Sequence, residues 1–501
     1  MLNLRKMTRV CVLGGGTAGW FAALHLRHAC KENVEVMLVS TPEIPIVGVG
    51  EGGVLNFIPT LSRLNIPLLE FMQETSAVHK LGFMYEGWRD SHKNPDDYFY
   101  HMFPELSDEK GFKEQSGFIP AFSGLINQNV PISYIVDSIQ FQEKNISQNE
   151  LTRMFISGAN KNFGSSFHFD TYKVGQYLKK IALQRGVIHK EGLFKEIERH
   201  METGLVTAVQ VDDTSIPVDF VIDASGFSRQ ILGNKLGAKW ESFHQYLSLN
   251  TAIPFHLKHS KKNPDLVTRS TAMNAGWVWQ IPLQERIGAG YVYNSDFISA
   301  EQAIGEVEQW LGHDIEPIRT ISFEAGFYKE VWKDNVLAIG LASGFVEPLE
   351  ATSIGQMLES LHMLISIFVE SNWAVSKSAI TYFNQQNTQG WHGIRDFIRM
   401  HYDTGRVNTP FWQFTKQDAA FSDQYLALKE CWHYRTPRVL DLIPYVMDGN
   451  SIFGYYSWTA IAQALGVIRK EATIEEIANL SLRQQQELMT WVEQLKQRRG
   501  F

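Results

Sequence analysis

The stretch VCVLGGGTAGW at residues 10–20 decides the fold. Four apolar residues run directly into a glycine turn, as in a buried strand that leads into a helix. Gly14, Gly16 and Gly19 have the GxGxxG spacing. The first glycine allows a tight turn, the second lets the backbone approach a pyrophosphate, and the third lets helix and strand pack closely. The sequence therefore predicts a β-α-β unit that binds a dinucleotide.

The residues that follow this turn complete the predicted nucleotide site. A helix that begins at Thr17 and Ala18 presents free backbone N–H groups and a positive dipole end to the phosphates. A second strand is predicted over 34–39, and in such folds this strand usually ends in an acid that holds the adenosine ribose. Ser40 stands there instead and offers a hydroxyl.

Composition narrows the possible partners. The chain has 501 residues, 44% of them hydrophobic, which suits a large core in two packed lobes. Its 46 basic and 54 acidic residues give a net charge of −8, so neither nucleic acid nor an acidic membrane is a favoured partner. Three cysteines without metal-ligand spacing predict no metal site and a cytoplasmic location. We also expect no membrane span, because no long uninterrupted apolar run stands out.

The segment GWVWQIP at 276–282 is the most unusual stretch of the chain. Period-two spacing puts Trp277 and Trp279 on one face of a strand, where the two indoles can form one flat, rigid wall. On spacing alone, two core residues of a buried sheet explain the pair equally well.

Glycine-rich segments recur later in the chain. IPIVGVGEGG at 44–53 is too glycine-rich for a strand interior and too apolar for a solvated loop, which indicates backbone close to a ligand. An ordinary tight loop is the alternative. Two further segments, VIDASGFSR at 221–229 and VLAIGLASGFVEPLEATSIG at 336–355, each place a turn after an apolar strand.

Together these motifs, in this order, resemble the flavin-dependent halogenases of the tryptophan halogenase family. The resemblance implies an α/β fold with an FAD-binding, Rossmann-like lobe of the glutathione-reductase/monooxygenase type over 1–355, which contains an inserted sheet. A mainly helical substrate-binding lobe is implied over 356–501. The spread of the motifs also favours FAD over NAD, because a nicotinamide dehydrogenase concentrates its contacts in one βαβ domain. The residues implied to contact FAD are Gly14, Gly16, Thr17, Ala18, Gly19, Ser40, Val49, Gly50, Glu51, Asp223, Leu341 and Gly344.

Two ionisable residues match the catalytic pair of that family. Lys80 lies in VHKLGFMYEGW among apolar neighbours, and Glu350 lies in EPLEATSIG at the start of a predicted helix. Taken alone, such a lysine usually extends its amine to water, and such a carboxylate usually complements a helix dipole. The KLG and EPLE contexts imply catalytic roles instead, with Glu347 as a competing acid.

The implied reaction is the FADH2- and O2-dependent halogenation of an electron-rich, indole-like aromatic compound. Hypohalous acid formed with the flavin is delivered to Lys80, while Glu350 tunes the lysine and takes the ring proton. A halide, chloride or bromide, is implied at Thr352 and Ser353, beside a helix N-terminus. Because Ser353 replaces the usual glycine of the family, a preference for bromide stays open. The tryptophan wall then keeps the substrate away from the flavin.

The sequence gives fewer indications of the residues that bind the substrate. His101 and Phe103 in FYHMFPE resemble an aromatic pocket, and Trp458 is a candidate for the opposite face of an indole sandwich. With 12% aromatic residues, plain packing is the alternative for each. The segment 451–467 offers tyrosines but no acid for an amino-acid ammonium, so a simple indole or phenol is at least as well supported as free tryptophan.

An aromatic monooxygenase of the same fold is the alternative enzyme, and it needs neither the tryptophan wall nor Lys80. A flavin-binding module without activity is a more distant alternative. No nicotinamide site is evident, so a separate NAD(P)H flavin reductase, without a stable complex, is the expected electron source. The sequence does not decide whether the protein forms a homodimer.

The remaining C-terminal sequence predicts a helical scaffold, which includes the segment 391–412. Capping boxes are predicted at Thr473–Glu476 and Ser481–Gln484.

Overall fold

The computed structural model describes residues 1–42, 50–89, 97–104, 119–157, 164–447 and 452–500. The strands in chain order are β1 Leu2–Asn3, β2 Arg9–Leu13, β3 Glu35–Ser40, β4 Glu51–Gly52, β5 Val78–Lys80, β6 Gly82–Glu86, β7 Tyr98–Met102, β8 Ser166–Phe169, β9 Ile188–Glu191, β10 Phe194–Arg199, β11 Val206–Val211, β12 Thr214–Pro217, β13 Phe220–Asp223, β14 Trp240–Ser242, β15 Thr251–Leu257, β16 Val267–Ala272, β17 Gly276–Pro282, β18 Ile287–Tyr293, β19 Ile321–Ser322, β20 Gly326–Tyr328, β21 Trp332–Lys333, β22 Val336–Ala338, β23 Gly344–Phe345 and β24 Ala374–Val375. The α-helices are α1 Thr17–Ala29, α2 Phe57–Arg63, α3 Leu68–Glu74, α4 Pro120–Asn127, α5 Ser138–Glu143, α6 Gln148–Ser157, α7 Thr171–Gln184, α8 Ala300–Leu311, α9 Thr352–Glu370, α10 Lys377–His401, α11 Pro410–Gln417, α12 Asp423–Cys431, α13 Tyr455–Ala464, α14 Ala472–Ala478 and α15 Leu482–Arg499.

A six-stranded sheet carries the predicted nucleotide turn. Its order is β21-β22-β13-β2-β3-β9, and every pair except β21–β22 is parallel. The central strands β2, β13 and β22 are largely apolar and buried, as in a parallel sheet covered by helices on both faces, whereas the edge strand β9 is polar. The predicted β-α-β unit is confirmed in β2, α1 and β3, whose bounds differ from the prediction by about one residue.

A seven-stranded sheet forms the second layer, in the order β19-β15-β18-β17-β16-β6-β7. All of its pairs are antiparallel except β16–β6. Strand β17 carries both tryptophans of the predicted wall, and β7 carries His101. This sheet packs against the C-terminal helices in one apolar cluster.

A third, small sheet has the order β4-β8-β5, and its strand β5 directly precedes β6 of the seven-stranded sheet in the chain. Lys80 is the last residue of β5, and the chain then passes into the seven-stranded sheet at Gly82. Gly82 has φ +153°, and a Cβ there would lie 2.4 Å from the His101 carbonyl oxygen, so only glycine allows the crossing. The lysine is thereby fixed at the junction of two sheets.

Helix α9 begins just before the predicted lobe boundary at 355 and packs into the core of the six-stranded sheet. The segment Leu349–Glu370 is long and apolar enough to cross a membrane, which corrects the expectation that no such stretch exists. Of its most apolar window, 61% is buried inside the fold, as in the core helix of a globular protein.

Two capping predictions had different outcomes. The capping box at Ser481–Gln484 is confirmed, with both of its hydrogen bonds at the start of α15. The box at Thr473–Glu476 is wrong, because α14 already begins at Ala472 and the Thr473 hydroxyl donates to the Lys470 carbonyl. The Glu476 carboxylate instead accepts from Arg438 and Ser123, a long-range pairing that the local pattern did not show.

Candidate functional site

Two glycines of the nucleotide turn are required by close packing. Gly14 follows β2 with φ +122°, and a Cβ there would lie 2.1 Å from the Ala224 carbonyl oxygen. A Cβ on Gly19 would lie 1.9 Å from the Gly14 carbonyl oxygen. No larger residue fits either position without moving backbone.

Gly16 differs, because a Cβ there meets no atom within 4 Å. It is the N-cap of α1, whose first turn carries no acidic residue. The adjacent Thr17 hydroxyl is buried without a hydrogen-bond partner in the described part of the chain. Open space, free N–H groups and an unsatisfied hydroxyl at a helix N-terminus fit the pyrophosphate of a dinucleotide.

The end of β3 carries Ser40, where such folds usually have an acid. Its Oγ lies 2.9 Å from His189 Nε2 on the neighbouring strand β9. A Cβ on Gly15 would touch the Ser40 side chain at 2.8 Å, so Ser40 lies directly beneath the nucleotide turn. The Ser40 hydroxyl is at the position of the missing acid, and it is already hydrogen-bonded to His189.

Two residues assigned to FAD by resemblance have other partners. The Asp223 carboxylate accepts hydrogen bonds from the Ser225 hydroxyl and backbone N–H and from the N–H groups of Ile231 and Leu232. Four donors use its acceptor capacity, so it organises its own loop. A Cβ on Gly344 would lie 2.6 Å from the Trp391 indole. Asp223 thus organises its own loop and Gly344 packs against Trp391, and contact of either residue with FAD stays a prediction.

The other residues assigned to FAD lie on two further loops. Val49 lies outside the described residues. Gly50 has φ +128° and lies beside β17, with Ile281 Cγ2 3.6 Å from where its Cβ would be. Burial raises the pKa of Glu51, next in the chain, to about 7. Leu341 lies in a short 3-10 turn, Gly340–Ala342, that touches Ala18 at the start of α1.

Lys80 is completely buried, and its amine has no hydrogen-bond partner among the described residues. Nζ lies 3.8 Å from the centre of the Phe83 ring and 5.6 Å from that of Phe103. Burial lowers the pKa of Lys80 to about 7, although the nearby Glu350 charge opposes this by favouring the ammonium. Unlike most lysines, this one holds a reactive amine away from water.

Glu350 is the centre of a buried hydrogen-bond cluster. The Tyr85 hydroxyl donates to its Oε1, His101 Nδ1 lies 2.7 Å from the same oxygen, and His401 Nε2 lies 3.5 Å from it. Oε2 has no partner within the described ranges. Burial raises the pKa of Glu350, but the His101 and His401 contacts outweigh burial and lower the pKa to about 2. The carboxylate therefore stays ionised.

The backbone at this carboxylate is strained. Glu350 and the following Ala351 have φ values of +65° and +54°, the left-handed region that costs a residue with a side chain about 1 kcal/mol or more. This bend turns Glu350 into the interior just before α9 begins at Thr352. Such outliers persist where the surrounding structure fixes them, and they concentrate at functional sites.

Glu347, the competing acid, faces a different group. Its Oε1 accepts from Trp277 Nε1 at 3.0 Å and from the Tyr402 hydroxyl at 2.5 Å. Burial raises the pKa of Glu347 to about 7 despite these two donors. Of the two carboxylates, only Glu350 affects the charge of Lys80.

The tryptophan pair departs from the predicted flat wall. Trp277 and Trp279 lie buried on one face of β17, as predicted, but their rings meet at 66° with centroids 6.3 Å apart. The Trp279 indole lies over Gly290 of β18, where a Cβ would be only 2.1 Å away. Trp277 leans toward Trp88, 6.3 Å between centroids. The two indoles therefore meet edge to face instead of forming one flat wall.

The candidate halide position lies at the N-terminus of α9. Thr352 is buried, and its hydroxyl has no hydrogen-bond partner in the resolved ranges described above. Ser353 follows it, partly exposed, and the first turn of the helix carries no acidic side chain. Free N–H groups at a helix N-terminus suit a small anion.

His101 and Trp458, the two faces of the predicted indole sandwich, each have ring partners within the protein. His101 stacks on Phe83, 6.0 Å away at 19°, because the two residues are paired across β6 and β7. Trp458 instead stacks on Tyr445 at 5.3 Å and 6°. The ring of Phe397 contacts both His101 and Trp458, at 5.9 Å and 5.2 Å. His101 and Trp458 are thus linked through the Phe397 ring, and their binding of an indole stays a prediction.

Sequence reasoning missed three partners of the carboxylates. Tyr85 contacts Glu350 from β6, and His401 and Tyr402 approach from the end of α10. Tyr85 lies in the lysine segment and MHY ends an amphipathic helix, but amphipathic spacing alone predicts only a scaffold helix. Only the tertiary fold shows that this helix end meets the carboxylates.

The chain is similar to known proteins over nearly its whole length. A family model described as tryptophan halogenase matches residues 9–477. Protein y4xG of Sinorhizobium fredii is 36% identical over 502 residues, covering 99% of this chain and 97% of that protein. Tryptophan 6-halogenase SttH of Streptomyces toxytricini is 29% identical, covering 93% and 91%. The solved structure of Xcc4156, a flavin-dependent halogenase from Xanthomonas campestris, has a TM-score of 0.82 at 28% identity, covering 98% and 94%.

Proposed function

Because the chain belongs to the tryptophan halogenase family of flavin-dependent enzymes, we propose that it halogenates an electron-rich, indole-like aromatic compound through Lys80. The single observation that carries this proposal is the state of that lysine. Its amine is buried, has no partner among the described side chains, and has a pKa lowered to about 7, while an ionised carboxylate lies nearby.

Lys80 has two ways to use an electrophilic halogen. As an ammonium it donates a hydrogen bond to hypohalous acid. As a neutral amine it attacks the halogen of hypohalous acid, the oxygen–halogen bond breaks, and the departing hydroxide takes a proton from the amine and leaves as water, which gives a haloamine. A pKa near 7 makes both forms available at neutral pH. The apolar rings of Phe83 and Phe103 exclude water, which would otherwise compete for the oxidised halogen.

Glu350 acts on the aromatic substrate. When halogen adds to an aromatic ring the ring becomes cationic, and an ionised carboxylate stabilises that charge and can then accept the ring proton. Its unpartnered Oε2 is the atom available for this, because Oε1 is held by Tyr85 and His101.

The nucleotide turn fits FAD. Gly14, Gly16, Thr17 and Gly19 would hold the pyrophosphate, as the open space at Gly16 supports. When bound in its reduced form, FAD supplies, with O2, the oxidation of halide to hypohalous acid. The chain's contribution is to hold the halide at Thr352 and Ser353, beside the start of α9.

The substrate is proposed to contact the helical lobe, residues 356–501. Phe397 and Tyr456 of that lobe both contact the His101 ring. SttH is named a tryptophan 6-halogenase, so free tryptophan belongs among the trial substrates. The absence of an acid in 451–467 favours indole or phenol over the free amino acid. We place the enzyme in the cytoplasm, supplied by a separate flavin reductase.

The test is product identity. Purified protein is supplied with reduced FAD, O2, bromide or chloride, and indole, phenol or tryptophan, and the products are analysed by mass spectrometry. We expect halogenated aromatic product that requires both flavin and halide. Product containing added oxygen and no halogen with every halide would overturn the proposal in favour of a monooxygenase.

A further inference from the structure

The second carboxylate of the EPLE segment, Glu347, has no part in the reaction described above. It is almost fully buried and lies on the turn between β23 and α9. A buried carboxylate is costly unless hydrogen bonds compensate. Glu347 has two such bonds, from Trp277 Nε1 and the Tyr402 hydroxyl, and both reach the same oxygen.

The bond to Trp277 connects distant parts of the chain. Glu347 lies 70 residues after Trp277, on a different element. An indole has one polar atom, and the contacts of the Trp277 ring with Trp88 and Trp279 are apolar, whereas its N–H faces the Glu347 carboxylate and the Tyr402 hydroxyl that donates to the same oxygen. The Nε1–carboxylate bond is therefore the directional contact that fixes the plane of the ring.

The same short segment carries three groups of the site. Glu347 holds Trp277, Glu350 approaches Lys80, and Thr352 begins α9. The left-handed residues at 350 and 351 turn these side chains in different directions. A shift of the segment would move the tryptophan wall and the reacting carboxylate together.

We propose that Glu347 is a positioning residue that fixes the Trp277 indole, and with it the wall, relative to the segment bearing Glu350 and Thr352. The role of the wall itself rests on the proposed function. The position of the indole does not, so the two can be tested separately.

The test uses protein labelled with 15N in tryptophan, with the Trp277 indole N–H signal assigned by its loss in Trp277→Phe. Glu347→Leu removes the acceptor at similar volume, and Glu347→Gln keeps a weaker neutral acceptor. Tyr402→Phe is the comparison variant, because it removes a hydroxyl that lies beside the Trp277 N–H and donates to the same oxygen, but keeps the carboxylate that accepts from the indole. We expect solvent exchange of the indole proton to speed up about tenfold or more in Glu347→Leu, less in Glu347→Gln, and little in Tyr402→Phe.

An unchanged exchange rate in both Glu347 variants would overturn the positioning role. If Glu347→Leu does not fold, the Glu347→Gln result decides alone. The ratio of halogenated product to hydrogen peroxide is then measured on the same variants. Faster exchange with a lower ratio supports the whole inference, and faster exchange with an unchanged ratio keeps the positioning role while overturning the barrier role of the wall.

Discussion

The nucleotide turn at residues 14–19 is built from backbone, whereas the Lys80–Glu350 site is built from side chains contributed by distant strands and helices. The turn comes from one contiguous segment and leaves open space at Gly16 for its ligand. The second site joins β5, β6, β7, the turn before α9 and the end of α10, and it saturates Oε1 of Glu350.

The difference teaches how each site tolerates change. A backbone site fails when a side chain enters its space, and the loss is one of affinity. A side-chain site fails when one charge is neutralised, and the loss is one of rate. Affinity for FAD and rate of halogenation should therefore separate cleanly between variants of the two regions.

The largest partial loss of rate is expected at Glu350. Glu350→Gln keeps the shape but removes the charge and the base, and the halogenation rate should fall by about 2 to 4 powers of ten. FAD affinity, measured by flavin fluorescence, should stay close to that of the wild type. A comparable loss of FAD affinity would show that the two regions do not separate as described.

Gly16 and Gly19 test the backbone region as a matched pair. Gly16→Val places its side chain in open space, so the fold should keep its thermal stability while FAD affinity falls by about 100-fold. Gly19→Val instead meets the Gly14 carbonyl and should prevent folding. Unchanged FAD affinity in Gly16→Val, measured by fluorescence titration, would mean that the turn does not hold the pyrophosphate.

The pKa of Lys80 gives a test by pH. With a value of about 7, the amine is mainly charged below pH 7 and mainly neutral above it. If the neutral amine carries the halogen, the rate should rise about tenfold per pH unit up to pH 7 and then level off. Oxygen consumption serves as the control for the flavin step. A profile that is flat across pH 7 argues against a titrating Lys80.

The smallest effect is expected at the tryptophan wall. Replacing Trp277 and Trp279 together by phenylalanine keeps aromatic packing but shortens both barriers, so the ratio of halogenated product to hydrogen peroxide should fall several-fold. Trp332→Phe is a suitable control, because it alters an equally buried indole in the other core cluster. An equal fall of this ratio in Trp332→Phe would show that Trp277 and Trp279 act only as core residues.

The comparison also explains what could be predicted from the sequence. The β-α-β unit followed from contiguous residues, since glycine spacing and apolar runs act locally. Its missing acid was seen at Ser40, but the His189 partner was not, because that contact spans 149 residues. Long-range pairing carries no local pattern.

The Lys80–Glu350 site could be predicted only in part, because its contacts also join residues that are distant in the chain. Resemblance pointed to Lys80 and Glu350, and the structure brings them within electrostatic range. The sequence could not show that Tyr85 and His401 converge on one oxygen, that the Trp277 and Trp279 rings meet at an angle, or that Phe397 contacts both His101 and Trp458. Each of these depends on packing between elements rather than on spacing within one.

The most direct test of the account follows the fate of the oxidised halogen in Lys80→Met, with the exposed Lys180→Met as a control. Lys80→Met removes the amine and keeps the volume. With reduced FAD, O2, bromide and indole, we predict that brominated indole disappears while FAD binding and oxygen consumption stay near wild-type values. Oxidised bromide should then appear in a scavenger added to the solution. If Lys80→Met brominates the same position of indole at the wild-type rate, the central claim is wrong.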